Sequence, residues 1–206
     1  MLTIDAKLDI CETDSAGLLD IAARSVLLGL QGQPPYQPLV DHYSVELQRL
    51  RSSCVTLKDG EQIVGRAATL RPTTPLVCDV NHNAYEAACH ISRQSRGQEL
   101  SVDVLVLSPL QCLVARTLEE VLQCVEPGVH GVLIQHGASD AMFLPERWEE
   151  FPDGVEFFRA LRKHAGLDPD GWSPDIHISV YEVQQLPRRT VNMPSASVGF
   201  MSRRCK

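Results

Sequence analysis

The chain has 206 residues, of which 44% are hydrophobic and 22% are charged, and its formal net charge is −7. A chain of this length buries about 70–75% of the surface that its unfolded form exposes, so neither a metal ion nor disulfides are needed to stabilise it. The acidic balance argues against nucleic acid and anionic membranes as the main partners. No apolar run approaches the ~18 residues that a membrane-spanning helix requires.

The first predicted element is an amphipathic helix. Thr13, Asp14 and Ser15 offer N-cap oxygens, and Gly32 followed by prolines ends the pattern. Between these signals the apolar residues recur at helical spacing. They are Leu18, Leu19, Ala22, Val26, Leu27 and Leu30.

A hairpin and a second helix follow. Strands are predicted over 53–57 and 62–70, with the turn at Asp59-Gly60, a strong hairpin signal. Thr74 and Pro75 then open a helix, since proline is favoured at the first helical position. Its apolar stripe consists of Leu76, Val80, Ala84, Ala87, Ala88 and Ile91.

The second half of the chain alternates strands with helices. The predicted order is a buried strand, a capped short helix, a hairpin, a helix and an alternating strand. This order predicts an α+β fold, with an antiparallel or mixed sheet and helices packed on it. The predicted ranges are 101–107, 117–124, 131–135 with 141–144 around Ser139-Asp140, a helix from Asp153 to Gly166, and 175–185.

Cysteine content and the start of the chain predict a cytoplasmic location. The seven cysteines are odd in number and form no Cys-x-x-Cys motif. Residues 1–14 carry four acids and no apolar run, unlike a signal peptide. A reducing compartment is therefore expected, in which the thiols pack as small hydrophobic groups.

The last twenty residues differ in charge from the rest. Residues 187–206 contain five basic residues and no acid, which leaves −12 on the remainder. They show neither helical nor alternating apolar spacing. We therefore expect one domain over 1–186 and a basic, flexible tail over 187–206.

The order of several short motifs resembles the AMMECR domain family, whose prokaryotic members are called AmmeMemoRadiSam system protein A. The resemblance runs from about Ala16 to Gln185 and implies a two-lobed α+β fold with shared polar residues facing a cleft. It also implies Memo-type and radical-SAM proteins as partners. The motifs are Val55-Thr56-Leu57, Gly60-Glu61, Leu107-Ser108-Pro109, Gly128 with His130-Gly131, Phe143-Leu144-Pro145, Trp148, and Ala165-Gly166-Leu167.

The chain departs from this family where a cysteine is usual. The family motif Leu-Arg-Gly-Cys-Ile-Gly corresponds here to residues 63–68, in which only Gly65 survives and Arg66 takes the cysteine position. The family's Asp-x-Arg-Phe corresponds to residues 91–94, in which Arg93 is kept. Covalent chemistry through that cysteine is not expected here, because a guanidinium is no nucleophile at neutral pH.

These residues suggest a cationic, ligand-binding cleft. Arg66, Arg93 and His130 would bind an anion, with Thr56 nearby and with Gly65 allowing close approach. An alternative is that Arg66 lies on a sheet face and pairs with a surface acid. The leading function is accordingly a non-catalytic or accessory one, in which the cleft binds a small anionic ligand or a protein partner. An enzyme that uses His130 as general acid or base, with the arginines holding an anionic substrate, is the alternative. A third interpretation is a purely structural relic that functions through its surface.

Two further candidates are weaker, and no cofactor or metal is expected. Cys78 and His82 share a helix face, but a metal site needs at least three ligands and the sequence indicates no third, so packing is favoured. Cys54 shares a strand face with Thr56, and His130 could approach it. A buried core cysteine is the simpler interpretation.

Overall fold

The computed structural model describes residues 8–89, 91, 99–173 and 175–192, which form two antiparallel sheets with helices packed on them. The α+β class predicted from the sequence is therefore confirmed. The helices are α1 (Glu12–Gln31), α2 (Val45–Gln48), α3 (Leu76–Cys89), α4 (Leu118–Cys124), α5 (Arg147–Glu150) and α6 (Gly154–His164). The strands are β1 (Ser53–Asp59), β2 (Gln62–Ala68), β3 (Glu99–Leu107), β4 (Gln111–Leu113), β5 (Gly131–His136), β6 (Ser139–Phe143), β7 (His177–Tyr181), β8 (Val183–Gln185) and β9 (Arg189–Asn192).

The first sheet has the strand order β2-β1-β3-β8, and β9 pairs with a different stretch of β3. Helices α1 and α3 bury their apolar faces against it. The carboxylate of Asp79, in the first turn of α3, ties that helix to β1. It accepts hydrogen bonds from the backbone N–H of Ser53 at 2.8 Å, from the Ser53 hydroxyl at 2.7 Å and from Asn83 at 3.0 Å. Burial raises the pKa of Asp79, and the hydrogen bonds from Ser53 oppose that shift.

The second sheet has the order β4-β7-β5-β6 and is covered by α4 and α6. Aromatic residues dominate its core. The rings of Trp148 and Phe157 stack with centroids 3.7 Å apart, and Phe143 meets Phe157 edge-on at 5.5 Å. No helix in the described part of the chain is long and apolar enough to cross a membrane.

The chain passes between the sheets at two adjacent points. The alternating segment predicted as one strand over 175–185 is two strands, because β7 belongs to the second sheet and β8 to the first. The break falls at Glu182, whose N–H donates to the Ser108 hydroxyl at 2.9 Å, while the N–H of Ser108 donates to the Glu182 carbonyl at 2.9 Å. A small apolar cluster of Cys54, Leu107, Leu144 and Tyr181 joins the two halves.

The predicted caps and turns agree with the structure at some element ends and differ at others. Helix α3 begins at Leu76, so the predicted first residue, Pro75, precedes it. The β5–β6 turn lies at Gly137-Ala138 instead of Ser139-Asp140, since Gly137 has a φ of 60°, which favours glycine. Helix α1 begins one residue before the predicted caps, after Cys11, whose side chain makes no capping hydrogen bond. The predicted caps at Thr117 and Asp153 accept from the N–H groups of Glu120 and Glu156.

The structure differs from the predicted tail over residues 187–192. Strand β9 lies within that range and pairs antiparallel with β3. Val191 is only 3% exposed and belongs to the first core, and Arg189 pairs with Asp20 of α1 at 2.8 Å. One apolar residue at the centre of a short strand leaves no periodicity to detect in the sequence. Residues 193–206 lie outside the described residues.

The residue before β9 takes part in a charge cluster. The Asp103 carboxylate on β3 accepts from Arg188 Nε at 2.8 Å and pairs with Lys58 Nζ at 3.0 Å. Burial alone would raise the pKa of Asp103, but the hydrogen bonds and charges of Arg188 and Lys58 outweigh it and hold that pKa below its usual value.

The packing of β9 predicts the effect of a small truncation in the core. Val191→Ala should lower the free energy of unfolding by about 1–3 kcal/mol, because it removes two buried methyl groups and leaves a cavity. Thr190→Ala, at an exposed position of the same strand, is the control and should change the unfolding free energy by less than about 0.5 kcal/mol. Urea denaturation measures both. Equal effects of the two variants would show that β9 does not contribute to the core.

The Asp103 cluster predicts a pH-dependent contribution to stability. Its folded-state pKa is lowered, so the stabilisation is present above the unfolded pKa and is lost as the pH falls through the folded value. Asp103→Asn should therefore destabilise the protein by about 1–3 kcal/mol at pH 7. The difference from the wild type should shrink once the pH falls below about 4. Denaturation curves from pH 7 to pH 2.5 measure this, and a difference that does not change with pH would contradict it.

Candidate functional site

The site is built on one face of the β1–β2 hairpin. Thr56 on β1 lies opposite Arg66 on β2, and Cys54 lies opposite Ala68. Alternate residues of a strand share a face, so these four residues lie on one side of the sheet. The buried Thr56 hydroxyl accepts a hydrogen bond from Arg66 Nε at 2.9 Å, which fixes the direction of the guanidinium.

This face forms one wall of a pocket between the two sheets. The opposite wall comes from β6 and the segment after it, together with the end of α6. The cavity has a volume of about 340 Å³. Its described lining consists of Cys54, Arg66, Ala68, Met142, Phe143, Leu144, Glu146, Arg147 and His164.

An ion pair crosses this pocket. Arg66 Nη2 donates to the Glu146 carboxylate at 2.9 Å, so a residue of the first sheet meets one from the segment that follows the second. Both side chains reach solvent, with exposed fractions of 37% for Arg66 and 51% for Glu146. Arg66 thus both pairs with a surface acid and lines a pocket, two roles that the sequence analysis treated as alternatives.

Arg147 and His164 supply the other cationic and titratable groups of the lining. The Arg147 guanidinium lies over the rings of Phe143 and Phe151, at 4.7 and 5.3 Å from their centroids, and also pairs with Glu150. The His164 ring is 5.6 Å from that of Phe143. A second cavity of about 650 Å³ adjoins the first, and the two share Phe143, Arg147 and His164.

The sequence matches the model of a known protein family over most of its length. The model of the family described as AMMECR1 matches residues 19–186 of the chain. The chain belongs to the AMMECR1 family. The sequence resemblance stated above is thereby confirmed.

Relatives from archaea align with this AMMECR1 protein over most of its length. Protein MK0488 of Methanopyrus kandleri is 32% identical over 165 residues, which cover 75% of this chain and 76% of the relative. Protein NEQ441 of Nanoarchaeum equitans is 29% identical over 175 residues, which cover 81% and 96%. The crystal structure of the uncharacterized protein PH0010 from Pyrococcus horikoshii has the same fold. Its TM-score is 0.74 at 21% identity, and the match covers 89% of this chain and 99% of that one.

Not all residues of the predicted cleft come together in this AMMECR1 chain. Arg66 and Thr56 are in direct contact, whereas His130 is not among the described residues that line the pocket. The His130 Nδ1 atom instead accepts from the Glu126 N–H at 2.9 Å, and the His130 carbonyl accepts from Trp148 Nε1 at 2.9 Å. These bonds fix the loop before β5. Arg93 lies outside the described residues.

Gly65 has a different role from the one expected. A Cβ atom added there would lie 2.2 Å from the carbonyl oxygen of Ala87 and 3.2 Å from Ile91. The 2.2 Å contact with backbone is shorter than real Cβ atoms show, so any side chain would force α3 away from β2. The close approach that this glycine allows is therefore that of helix α3, on the face of the sheet opposite to Arg66.

Cys54 lies at the bottom of the pocket and is only 1% exposed. Burial raises the pKa of its thiol, while the nearby charge of Arg66 and a hydrogen bond with Thr56 lower it by less. The neutral thiol is therefore the stable form at neutral pH, and it is a poor nucleophile. On α3, Cys78 is half-buried and His82 is exposed, and no group of three possible metal ligands occurs among the described residues.

Sequence reasoning missed Glu146, Arg147 and His164. The first two lie inside a recognised stretch, between the landmarks Pro145 and Trp148, where their charges were not considered. His164 ends α6 immediately before the landmark Ala165-Gly166-Leu167. A search for charged residues beside the family motifs would have found all three, although not their contact with the β1–β2 hairpin.

Burial of Cys54 predicts selective alkylation. Iodoacetamide should modify the exposed Cys11, Cys89, Cys112 and Cys124 of the native protein at least about tenfold faster than Cys54, because Cys54 is enclosed and its pKa is raised. Peptide mass spectrometry over a time course measures each rate. In urea Cys54 should react like the others, which is the control. Rapid native modification of Cys54 would restore it as a candidate nucleophile.

Proposed function

We propose that this chain is a non-catalytic, accessory AMMECR1-family domain that binds a small anionic ligand in the Arg66 pocket. One observation carries the proposal. Arg66, Arg147 and His164 come from β2, α5 and the end of α6, and they line a single cavity. Guanidinium groups that converge from separate elements can bind a carboxylate or phosphate through several charge-assisted hydrogen bonds.

The charge of the molecule makes this pocket distinctive. The whole chain has a formal charge of −7, yet the described lining contains two arginines, one histidine and one acid, with Glu150 pairing with Arg147 from outside the lining. A concave wall with low-polarity surroundings concentrates the field of its charges, so an anion is attracted locally to an acidic protein. Hydrogen-bonding with Thr56 holds the Arg66 guanidinium in place before any ligand binds.

Glu146 acts in this proposal as an internal competitor for Arg66. Its carboxylate occupies one edge of the guanidinium, and an incoming anion must displace it. Exposed ion pairs contribute about 0–1 kcal/mol, so this displacement is inexpensive. The pair would keep Arg66 extended across the pocket in the absence of ligand.

The chemistry of the site favours binding over catalysis. The cysteine position of the family motif holds Arg66, and the nearby Cys54 thiol is buried with a raised pKa. His130, the acid or base of the alternative enzyme hypothesis, has its Nδ1 engaged by the Glu126 N–H. Memo-type and radical-SAM proteins are the partners that the family resemblance implies, in a cytoplasmic, reducing setting, and they remain part of the proposal.

The ion pair allows a test in which two single substitutions act in opposite directions. Arg66→Gln should weaken binding of phosphate or acetate about tenfold, since losing one charge-assisted contact in a partly exposed site costs about 1.4 kcal/mol. Glu146→Gln should strengthen binding several-fold, because it removes both the competing carboxylate and a negative charge. Isothermal titration calorimetry at low ionic strength measures both.

Arg49→Gln is the matched control for these variants. Arg49 is an exposed arginine that pairs with Glu46 and does not line the pocket, so its loss should leave the anion affinity within about twofold of the wild type. Circular dichroism confirms that each variant is folded. If no anion binds, or if Arg66→Gln binds as well as the wild type, the proposal is wrong.

A further inference from the structure

We infer that the anion bound in this pocket is a carboxylate with an apolar body, such as an arylalkanoate or a short fatty acid. This inference rests on the proposed function, because it names the ligand class for the same site. It comes from the way in which polar and apolar groups are distributed with depth in the pocket.

The floor of the pocket is apolar. Cys54, Phe143 and Leu144 are all buried, with exposed fractions of 1%, 5% and 7%. The half-buried Met142 continues this surface, and the exposed Ala68 extends the apolar lining toward the mouth. A ligand group that reaches the floor therefore meets sulfur, methyl and aromatic carbon atoms, which favour burial of apolar surface.

The charged groups lie at the mouth. The side chains of Arg66 and Arg147 are each 37% exposed, and that of Glu146 is 51% exposed. An anionic head bound to the arginines would thus remain close to solvent, where the cost of removing its charge from water is small. The arrangement matches a molecule with one charged end and one apolar end.

The volume supports a ligand larger than a simple ion. The cavity of about 340 Å³ has room for roughly ten water molecules at about 30 Å³ each. It lies at the lower end of the range of small-molecule sites. A phosphate or acetate ion alone would leave water against the apolar floor, whereas an aryl or alkyl group would replace that water.

The structure itself shows that a carboxylate suits Arg66. The Glu146 carboxylate lies 2.9 Å from Arg66 Nη2, while Nε of the same guanidinium is held by Thr56. The Nη2 group of Arg66 therefore already donates a hydrogen bond to a carboxylate at the pocket mouth. A ligand carboxylate that takes the place of Glu146 would direct its body toward Cys54, Met142 and Leu144.

A ligand series tests this inference on the intact chain. Acetate, butyrate and 3-phenylpropionate share a head group and differ in the apolar body, and inorganic phosphate serves as the compact anion. Affinity should rise about fourfold for each methylene that reaches the floor. 3-Phenylpropanol has the body without the charge and should bind at least about tenfold more weakly than 3-phenylpropionate.

A substitution that fills the apolar part of the pocket distinguishes the contribution of the ligand's apolar body from that of its carboxylate. Ala68 is exposed on the edge strand β2, so Ala68→Leu should fold normally and occupy the space of the apolar group. It should weaken the binding of 3-phenylpropionate at least about tenfold and that of acetate by a much smaller factor, because acetate has no group that reaches the apolar part of the pocket. Ala138→Leu, at an exposed alanine in the β5–β6 turn, is the control and should change neither. Met142→Phe fills the same floor from the opposite wall and replaces the first variant if that one does not fold.

The outcomes distinguish the two proposals. If no anion binds, or binding is independent of Arg66, both the proposed function and this inference fail. If acetate and phosphate bind through Arg66 but the carboxylate series shows no gain with the size of the body, only this inference is overturned. The same holds if Ala68→Leu and Met142→Phe, both folded, leave the 3-phenylpropionate affinity unchanged.

Discussion

The contact of helix α3 with strand β2 at Gly65 is the constraint on which the site depends. With a Cβ position only 2.2 Å from the Ala87 carbonyl oxygen, the backbones are as close as they can be, and no residue other than glycine is compatible with that spacing. The buried Asp79 carboxylate, bonded to Ser53, fixes the same helix to β1. Strands β1 and β2 are therefore held at a fixed distance from one helix, which determines where their opposite face lies.

That opposite face makes the pocket possible. Because the Gly65 side of β2 is committed to α3, the alternate residues Arg66 and Ala68 must point toward the second half of the molecule. Thr56 then meets Arg66 across the strand pair and directs its guanidinium. The apolar junction of Cys54, Leu107, Leu144 and Tyr181 brings the second sheet close enough for Glu146 to reach that guanidinium. One glycine thus helps to position a wall of the pocket that it does not itself line.

Local signals in the sequence were sufficient for the elements and the family, but not for the composition of the site. The helix stripes, the Asp59-Gly60 turn and the family motifs depend on near neighbours, and the α+β class followed from their order. The pocket instead joins Arg66 to Glu146, eighty positions away, and to the still more distant His164. Its prediction requires the arrangement of the sheets. His130 was selected because the family motif contains it, although its ring is used in the loop before β5.

The errors in predicting β7 with β8 and in predicting β9 have one physical cause in common. Residues 175–185 alternate continuously, so the pattern cannot reveal that β7 and β8 belong to different sheets. Strand β9 is short, and Val191 is its one buried residue, so it has almost no pattern at all. In both cases the strand is specified by its partner, β3 or β5, and not by its own sequence.

The paired crossings at Ser108 and Glu182 give the chain the topology of an inserted unit. The strands described between them belong to the second sheet, while the strands described before and after them build the first sheet. A pair of hydrogen bonds joins the two ends of the insert. With respect to the first sheet, the insert is therefore one long loop whose ends lie next to each other. Loop-closure entropy grows only slowly with length, so such an insert adds little cost to the pairing of β8 and β9 with β3.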